Sequence, residues 1–396
     1  MTHQMMDSAK RRIAVITGTR AEYGLLRELL LIIKQSDQLL LQLVVTGMHL
    51  SPEFGLTYRH IESDGFKIDA KVEMLLSSDT AVGIAKSVGL GVIGFADAFD
   101  RLQPDMIVVL GDRFEMLAAA TAAMLLKIPI SHIHGGELSA GALDDSIRHS
   151  ITKMSHLHFT AAKAYRERVI QLGERPENVF NVGAPGIERL KRLPLLSQQE
   201  LENTLGFLLK KPLFLVTFHP ETAVKENVEC QCDSLFSAIE RFKDATIIVT
   251  KSNADEAGRK INQYIDAYAK NHKGRIHIFD NLGDLNYLSV MKLASVIIGN
   301  SSSGIIEAPS LKIPTVNIGC RQEGRLRADS VIDCVISEDA IYCAIKKALS
   351  GKFKGVVQQC VSPYDADNAS ENIFNILKNT NLQHLSRKVF FNSNSY

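Results

Sequence analysis

No stretch of this 396-residue chain runs to 18 uninterrupted apolar residues, and its opening MTHQMMDSAKRR holds no hydrophobic run. Neither a membrane span nor a secretory signal is expected, and a cytoplasmic protein is. Charge of one sign is lacking too: 45 Lys+Arg against 44 Asp+Glu leave a net charge of +1. No overall field then favours nucleic acid or a membrane surface, so an anionic ligand would have to be met by local arginines. Cysteine is sparse and one-sided, with six residues, all from Cys230 onward. Only Cys230 and Cys232 are close, and no matching Cys/His pair follows, which argues against zinc and for reduced thiols. A G-x-x-x-x-G-K-[ST] segment is missing, which excludes a P-loop, and no dinucleotide fingerprint is read between a strand and a helix.

What is present is an alternation of short apolar runs with helical periodicities. RIAVIT (12–17), LLLQLVVTG (39–47), DMIVVLGD (105–112), IPISHIHG (128–135) and HLHFTAA (156–162) read as buried strands. Between them lie helical segments such as LLRELLLIIKQ and EMLAAATAAMLL. A polar, proline-punctuated stretch at 183–207 reads as a linker, and then the pattern restarts. PLFLVTFHP (212–220), ATIIVTKSN (245–253), RIHIFD (275–280), SVIIGNSS (295–302), PTVNIG (314–319) and SVIDC (330–334) form the second series. Continuously apolar strands alternating with helices predict parallel, doubly wound sheets whose ligands sit at the strands' carboxyl ends. The expected fold class is α/β, with two Rossmann-like domains facing a cleft. Residues 1–190 and 191–365 would form the domains, and a helical segment, 366–396, would pack back on the first.

Residues with chemistry gather at those strand ends. GNSSSGIIEAPSLKIP (299–314) places Ser301, Ser302 and Ser303 before an amphipathic segment, where free backbone N–H groups and hydroxyls suit an anion. Glu307, a turn later, could accept from ribose hydroxyls. Arg20 in GTRAEYG and Arg321 in GCRQEGRLR are candidates for phosphate. LGDRFE (110–115) puts Asp112 and Arg113 at a strand end, where Asp112 could be catalytic or a plain helix cap. HIHGGELSAGALDDSIRH (132–149) is the densest stretch. His132 and His134 at i, i+2 would share one face of a strand and could ligate a metal with Glu137, Asp144 and Asp145. The favoured reading is instead a carboxylate cluster with His134 as partner, oriented by Arg148 and His149, with no metal. Crowded carboxylates have raised pKa values and can work as acid and base near neutrality. His219, ending TFHP, would face the same cleft from the second domain.

Taken together, GTRAEYG, LGDRFE, HIHGGE…DDSIRHSITKMSH, TFHPET and GNSSSGIIEA resemble the UDP-N-acetylglucosamine 2-epimerase family. The hydrolysing branch, which serves sialic acid-type synthesis, is the nearest match. The resemblance covers nearly the whole chain and implies a glycosyltransferase-B type fold, with the nucleotide held mostly by the second domain. It also implies a mechanism, one that needs no cofactor: a base removes the C2 proton while UDP leaves C1, water adds to the resulting 2-acetamidoglucal, and N-acetylmannosamine is released. Asp112, His134, Glu137, Asp144 and His219 match the acid/base and sugar-positioning groups. Arg20, Arg113, Ser301, Ser302, Glu307, Arg321 and Asn253 match UDP contacts. Some family members carry glutamate where this chain has His134, so His134 or Glu137 would supply that proton transfer. A hydrolysing 2-epimerase acting on a 2,4-diacetamido-2,4,6-trideoxy sugar, on the route to legionaminic acid, is the alternative. A glycosyltransferase of the same fold is an alternative of another class. The expected partner is a UDP-sugar, with no nucleic acid and no membrane, and the expected assembly is a homodimer or homotetramer.

Overall fold

Two all-parallel sheets organise the protein, each with helices on both faces. A computed structural model describes residues 10–78, 80–138, 143–219, 227–251, 256–270, 274–365, 367–385 and 388–392. The chain divides into two compact units. The first is Met1–Glu137, Ala142–Glu188 and Ala366–Tyr396, and the second is Leu138–Gly141 with Arg189–Asp365.

The first unit holds β1 (Arg11–Thr17), β2 (Leu39–Thr46), β3 (Ala70–Val72), β4 (Met106–Leu110), β5 (Ile130–Ile133), β6 (Leu157–Thr160) and β7 (Val179–Asn181). Their spatial order is β3-β2-β1-β4-β5-β6-β7. The second unit holds β8 (Leu213–Thr217), β9 (Thr246–Thr250), β10 (Ile276–Phe279), β11 (Val296–Gly299), β12 (Thr315–Ile318) and β13 (Val331–Cys334), ordered β10-β9-β8-β11-β12-β13. Both orders reverse direction once, between β1 and β4 and between β8 and β11. In open α/β sheets ligands bind at such a reversal, outside the carboxyl ends of the strands.

Strand alternation explains why the strands read as continuous apolar runs. Ile13 and Val15 enter one core layer with Leu26, Leu29 and Leu30, while Ala14 and Ile16 enter the opposite layer with Phe95, Phe99 and Met116. Phe214 and Val216 likewise oppose Leu213 and Leu215 in the second sheet. Each fully buried aliphatic side chain contributes about 1.5–3 kcal/mol, so sheets covered on both faces select Val, Ile and Leu at every position. The helix Arg20–Lys34 follows β1 because Thr19 caps it, Glu22 closes a capping box, and Leu26, Leu29, Leu30 and Ile33 form one apolar stripe.

Two parts of the molecule differ from the sequence reading. The expected linker at 183–207 is largely two helices, Pro185–Arg192 and Gln198–Leu205, whose Leu190 and Leu201 are buried in a core cluster of the second sheet. Its polarity belongs to the outward helix faces. The 22-residue helix Ala81–Leu102 was not anticipated, because Lys86 and four glycines interrupt its pattern. GLGVIG (89–94) has dinucleotide-motif spacing but lies inside this helix rather than between a strand and a helix. Its glycines allow close packing: a Cβ at Gly91 would lie 2.8 Å from the Ala118 Cβ, and one at Gly94 would lie 2.8 Å from Val72. By length and composition the helix is apolar enough to cross a membrane, with a third of the relevant window buried. It packs on the helix Phe114–Leu125.

Gly299, at the end of β11, is fixed by geometry. Its φ is +132°, and a Cβ there would lie 2.0 Å from the Thr217 carbonyl oxygen of the neighbouring strand. Gly299→Ala is expected to cost more than about 3 kcal/mol, because backbone strain and a main-chain clash add. A melting temperature within two degrees of wild type would contradict this.

Candidate active site

In the first unit the strands on either side of the reversal deliver Gly18-Thr19-Arg20 from β1 and Gly111-Asp112-Arg113 from β4. Arg20 opens the helix Arg20–Lys34 and forms no hydrogen bond or ion pair among the described residues. A cation at a helix N-terminus opposes the helix dipole, so Arg20 is unsatisfied until an anion arrives. Asp112 pairs with Arg148, whose side chain is only 1% exposed. Arg148 also donates to Asp145 at 3.2 Å and to the Glu137 carbonyl at 2.9 Å. One buried guanidinium thus ties the end of β4, the loop after β5 and the helix Leu143–Met154 together.

The loop after β5 separates the two histidines of HIHGGE. His132 is still in the strand and its ring is fully buried, with Nε2 donating to the Gly111 carbonyl at 2.8 Å and Nδ1 facing the Thr152 hydroxyl at 3.1 Å. Burial drives its pKa down to about 3, so it is a neutral structural residue. His134 has left the strand, with φ +66°. Its Nδ1 lies 2.5 Å from the Glu137 carboxylate, and its Nε2 is buried with no hydrogen-bond partner. Nδ1–H donates to the carboxylate, which leaves the Nε2 lone pair available to take a proton. The shared-face premise of a metal pair therefore fails, since both nitrogens of His132 are occupied. Among the described residues no group of three His, Cys, Asp or Glu side chains is placed to hold a metal ion.

Arg113 forms a bidentate pair with the fully buried Glu115, at 2.9 and 3.1 Å. Glu22 stands 4.0 Å away and accepts the Gly18 and Thr19 amides at 2.8 and 3.1 Å. Burial raises Glu22 to about 7, against the pull of Arg113 and with help from Glu115. A Cβ at Gly47 would meet the Glu115 carboxylate at 2.8 Å, so that glycine makes room for the cluster. Asp144, exposed on the first turn of the helix Leu143–Met154, acts electrostatically on Arg113. Glu22 and Glu115 were not anticipated. The Thr19-x-x-Glu22 capping box was a signal for the first, and nothing in the sequence marked the second.

In the second unit the corresponding ends are Thr217-Phe218-His219 and Gly299-Asn300-Ser301. Asn300 is fully buried and clasps the His219 backbone, accepting from its N–H at 2.7 Å and donating to its carbonyl at 2.8 Å. The Asn300 carbonyl in turn accepts from Arg321 at 3.0 Å and from Gln322 at 2.8 Å. His219, Arg321 and Gln322 are therefore locked to one asparagine. Burial, then Arg321, lowers His219 to about 3. Ser301 caps the helix Ser302–Ile306, and Glu307 ends it. With only five residues, this helix has little dipole to offer, so donors here are the serine hydroxyls and loop amides. Tyr287, whose hydroxyl interacts with Thr217, Ser303 and Ser301, is an unanticipated neighbour. Asn253 lies outside the described residues.

The chain as a whole, rather than any one side chain, is similar to known proteins. A family model described as UDP-N-acetylglucosamine 2-epimerase matches residues 32–378. The chain belongs to this family. A GDP/UDP-N,N'-diacetylbacillosamine 2-epimerase (hydrolyzing) of Campylobacter jejuni is 46% identical over 346 residues, 87% of this chain and 89% of the relative. The polysialic acid biosynthesis protein P7 of Escherichia coli is 42% identical over 369 residues, 93% of this chain and 94% of the relative. The crystal structure of the UDP-GlcNAc 2-epimerase from Neisseria meningitidis bound to UDP-GlcNAc shares the fold, with a TM-score of 0.79 at 16% identity, covering 92% and 99% of the two chains. The protein is an enzyme of the hydrolysing UDP-sugar 2-epimerase family.

Proposed function

We propose that the enzyme converts UDP-N-acetylglucosamine to N-acetylmannosamine and UDP by elimination followed by hydration. The observation that carries this reading is the His134–Glu137 pair, a histidine oriented by a buried carboxylate, its other nitrogen without a hydrogen-bond partner. C2–H is a weak acid, so its removal needs an oriented base and a leaving phosphate whose charge is neutralised. His134 Nε2 takes the C2 proton as the C1–O bond to UDP breaks, giving the 2-acetamidoglucal, and Glu137 balances the imidazolium. Asp112, held by Arg148, and Asp144 serve the sugar and the incoming water. Arg20 and Arg113 meet the diphosphate, while Ser301, Ser302, Glu307, Arg321 and His219 hold the nucleotide. Asn253 keeps the UDP role that the sequence resemblance implies.

A second sugar is favoured by a specific observation. The relative at 46% identity bears a name whose sugar carries a second acetamido group. On this reading the same proton transfer acts on UDP-2,4-diacetamido-2,4,6-trideoxyglucose. Proton NMR of the protein with each nucleotide sugar in D2O separates the two. Free UDP and a 2-deuterated N-acetylmannosamine are expected from the first substrate. Turnover of the diacetamido sugar alone would transfer the assignment to the second reading, and glycosyl transfer without C2 deuteration would overturn both.

A further inference from the structure

Far along the chain from the acid/base loop, the segment Lys388–Asn392 is fastened to the C-terminal end of the helix Leu143–Met154. The Lys388 ammonium donates to the carbonyls of Lys153 at 2.6 Å, Thr152 at 3.4 Å and Ser155, and pairs with Glu174 at 2.8 Å. Thr152 and Lys153 lie in the last turn of the helix and Ser155 just past it, a place where a cation suits the dipole; Thr152 also accepts from the Ser155 amide at 3.1 Å. Glu174 is nearly buried and accepts from Lys153 at 2.6 Å and from His158 at 3.0 Å as well. Phe391 N donates to the Gly173 carbonyl at 2.8 Å, and the Phe390 ring covers Gly173. Gly173 has φ +90°, and a Cβ there would lie 2.2 Å from that ring. Phe390 also stacks with Lys153, whose Nζ is 4.9 Å from the ring centroid.

The anchored helix end is connected to the chemistry. Thr152 gives its carbonyl to Lys388 and its hydroxyl to His132, His132 holds the Gly111 carbonyl, and Asp112 is the next residue. One helical turn earlier, Arg148 grips Asp112 itself. We propose that Lys388 is a positioning residue for the 2-epimerase reaction: it fixes the helix Leu143–Met154 so that Arg148 and His132 hold Asp112 in place. The inference rests on the proposed epimerase reading for its kinetic consequence only.

Lys388→Met is expected to lower kcat by about tenfold with KM unchanged, since a small misplacement of a reacting group is costly. Hydrogen exchange should quicken at amides 143–154 and stay unaltered in the second unit. Lys388→Arg, which keeps a donor for the same carbonyls and Glu174, should recover most of the rate. Wild-type kcat in Lys388→Met, with or without faster exchange, overturns the proposal. So does a loss that follows the folded fraction and that Lys388→Arg does not restore. Exchange is read without substrate, so a wild-type enzyme inert towards both sugars would refute the functional reading while the anchoring of the helix was still decided.

Discussion

Asp112→Asn is expected to reduce turnover by at least about 10³-fold while the protein stays folded. Asparagine has nearly the same shape and can still accept a hydrogen bond from Arg148. The guanidinium also keeps Asp145 at 3.2 Å and the Glu137 carbonyl at 2.9 Å, so its burial remains partly compensated. The Asp112 side chain is 24% exposed, which limits the stability cost to that of one charged hydrogen bond, about 1.5–3 kcal/mol. What disappears is a negative charge at the end of β4, beside the reversal in strand order. Steady-state rates and UDP affinity, measured together, decide the matter. Near-wild-type turnover would remove Asp112 from the catalytic set, and a parallel loss of UDP binding would mean that the substitution had disturbed more than one charge.

The strands were legible because a parallel sheet covered on both faces keeps most positions apolar, so polar residues such as Gln42 and His132 interrupt the runs only singly or in pairs. RIAVIT and PLFLVTFHP needed only that signature. β3 was invisible for the opposite reason: three residues, Ala70–Val72, carry no measurable period. The helix Ala81–Leu102 was hidden by glycines that lower helix propensity but let a neighbouring helix and strand approach closely. Within the site, position along a strand was readable and environment was not. His132 and His134 look equivalent as letters two apart, yet one ring is locked between Thr152 and Gly111 while the other has a free nitrogen at the end of the strand. Glu115, in the first turn of the helix Phe114–Leu125, is the buried partner of Arg113, and nothing in the local pattern distinguishes it from an ordinary helix-start carboxylate. The contacts of Lys388 span more than 200 residues of sequence, a range over which no local pattern carries information.

Mild acid is expected to destabilise the first unit, and the responsible groups oppose one another in a way that can be dissected. His49 and His132 are fully buried and His156 is largely so, and burial holds them well below 6.5, to about 4 for His49, about 3 for His132 and about 4 for His156. Below pH 6.5 the unfolded chain takes up three protons that the folded chain refuses, so stability is lost as pH falls through that value. Glu22 runs the other way. Its folded value of about 7 lies above the ordinary 4.5, so between these two values the folded state holds a proton that the unfolded state lacks and gains stability as pH falls. The balance is a net uptake of about two protons on unfolding near pH 5.5, at about 1.4 kcal/mol per proton per pH unit. From pH 7.5 to 5.5 the loss is therefore about 2–3 kcal/mol, or roughly 5–10 °C in melting temperature. Glu22→Gln removes the opposing group alone. Its melting temperature should exceed that of wild type at pH 7.5 and fall more steeply towards pH 5.5. A slope equal to wild type would show that Glu22 does not hold a proton in the folded enzyme.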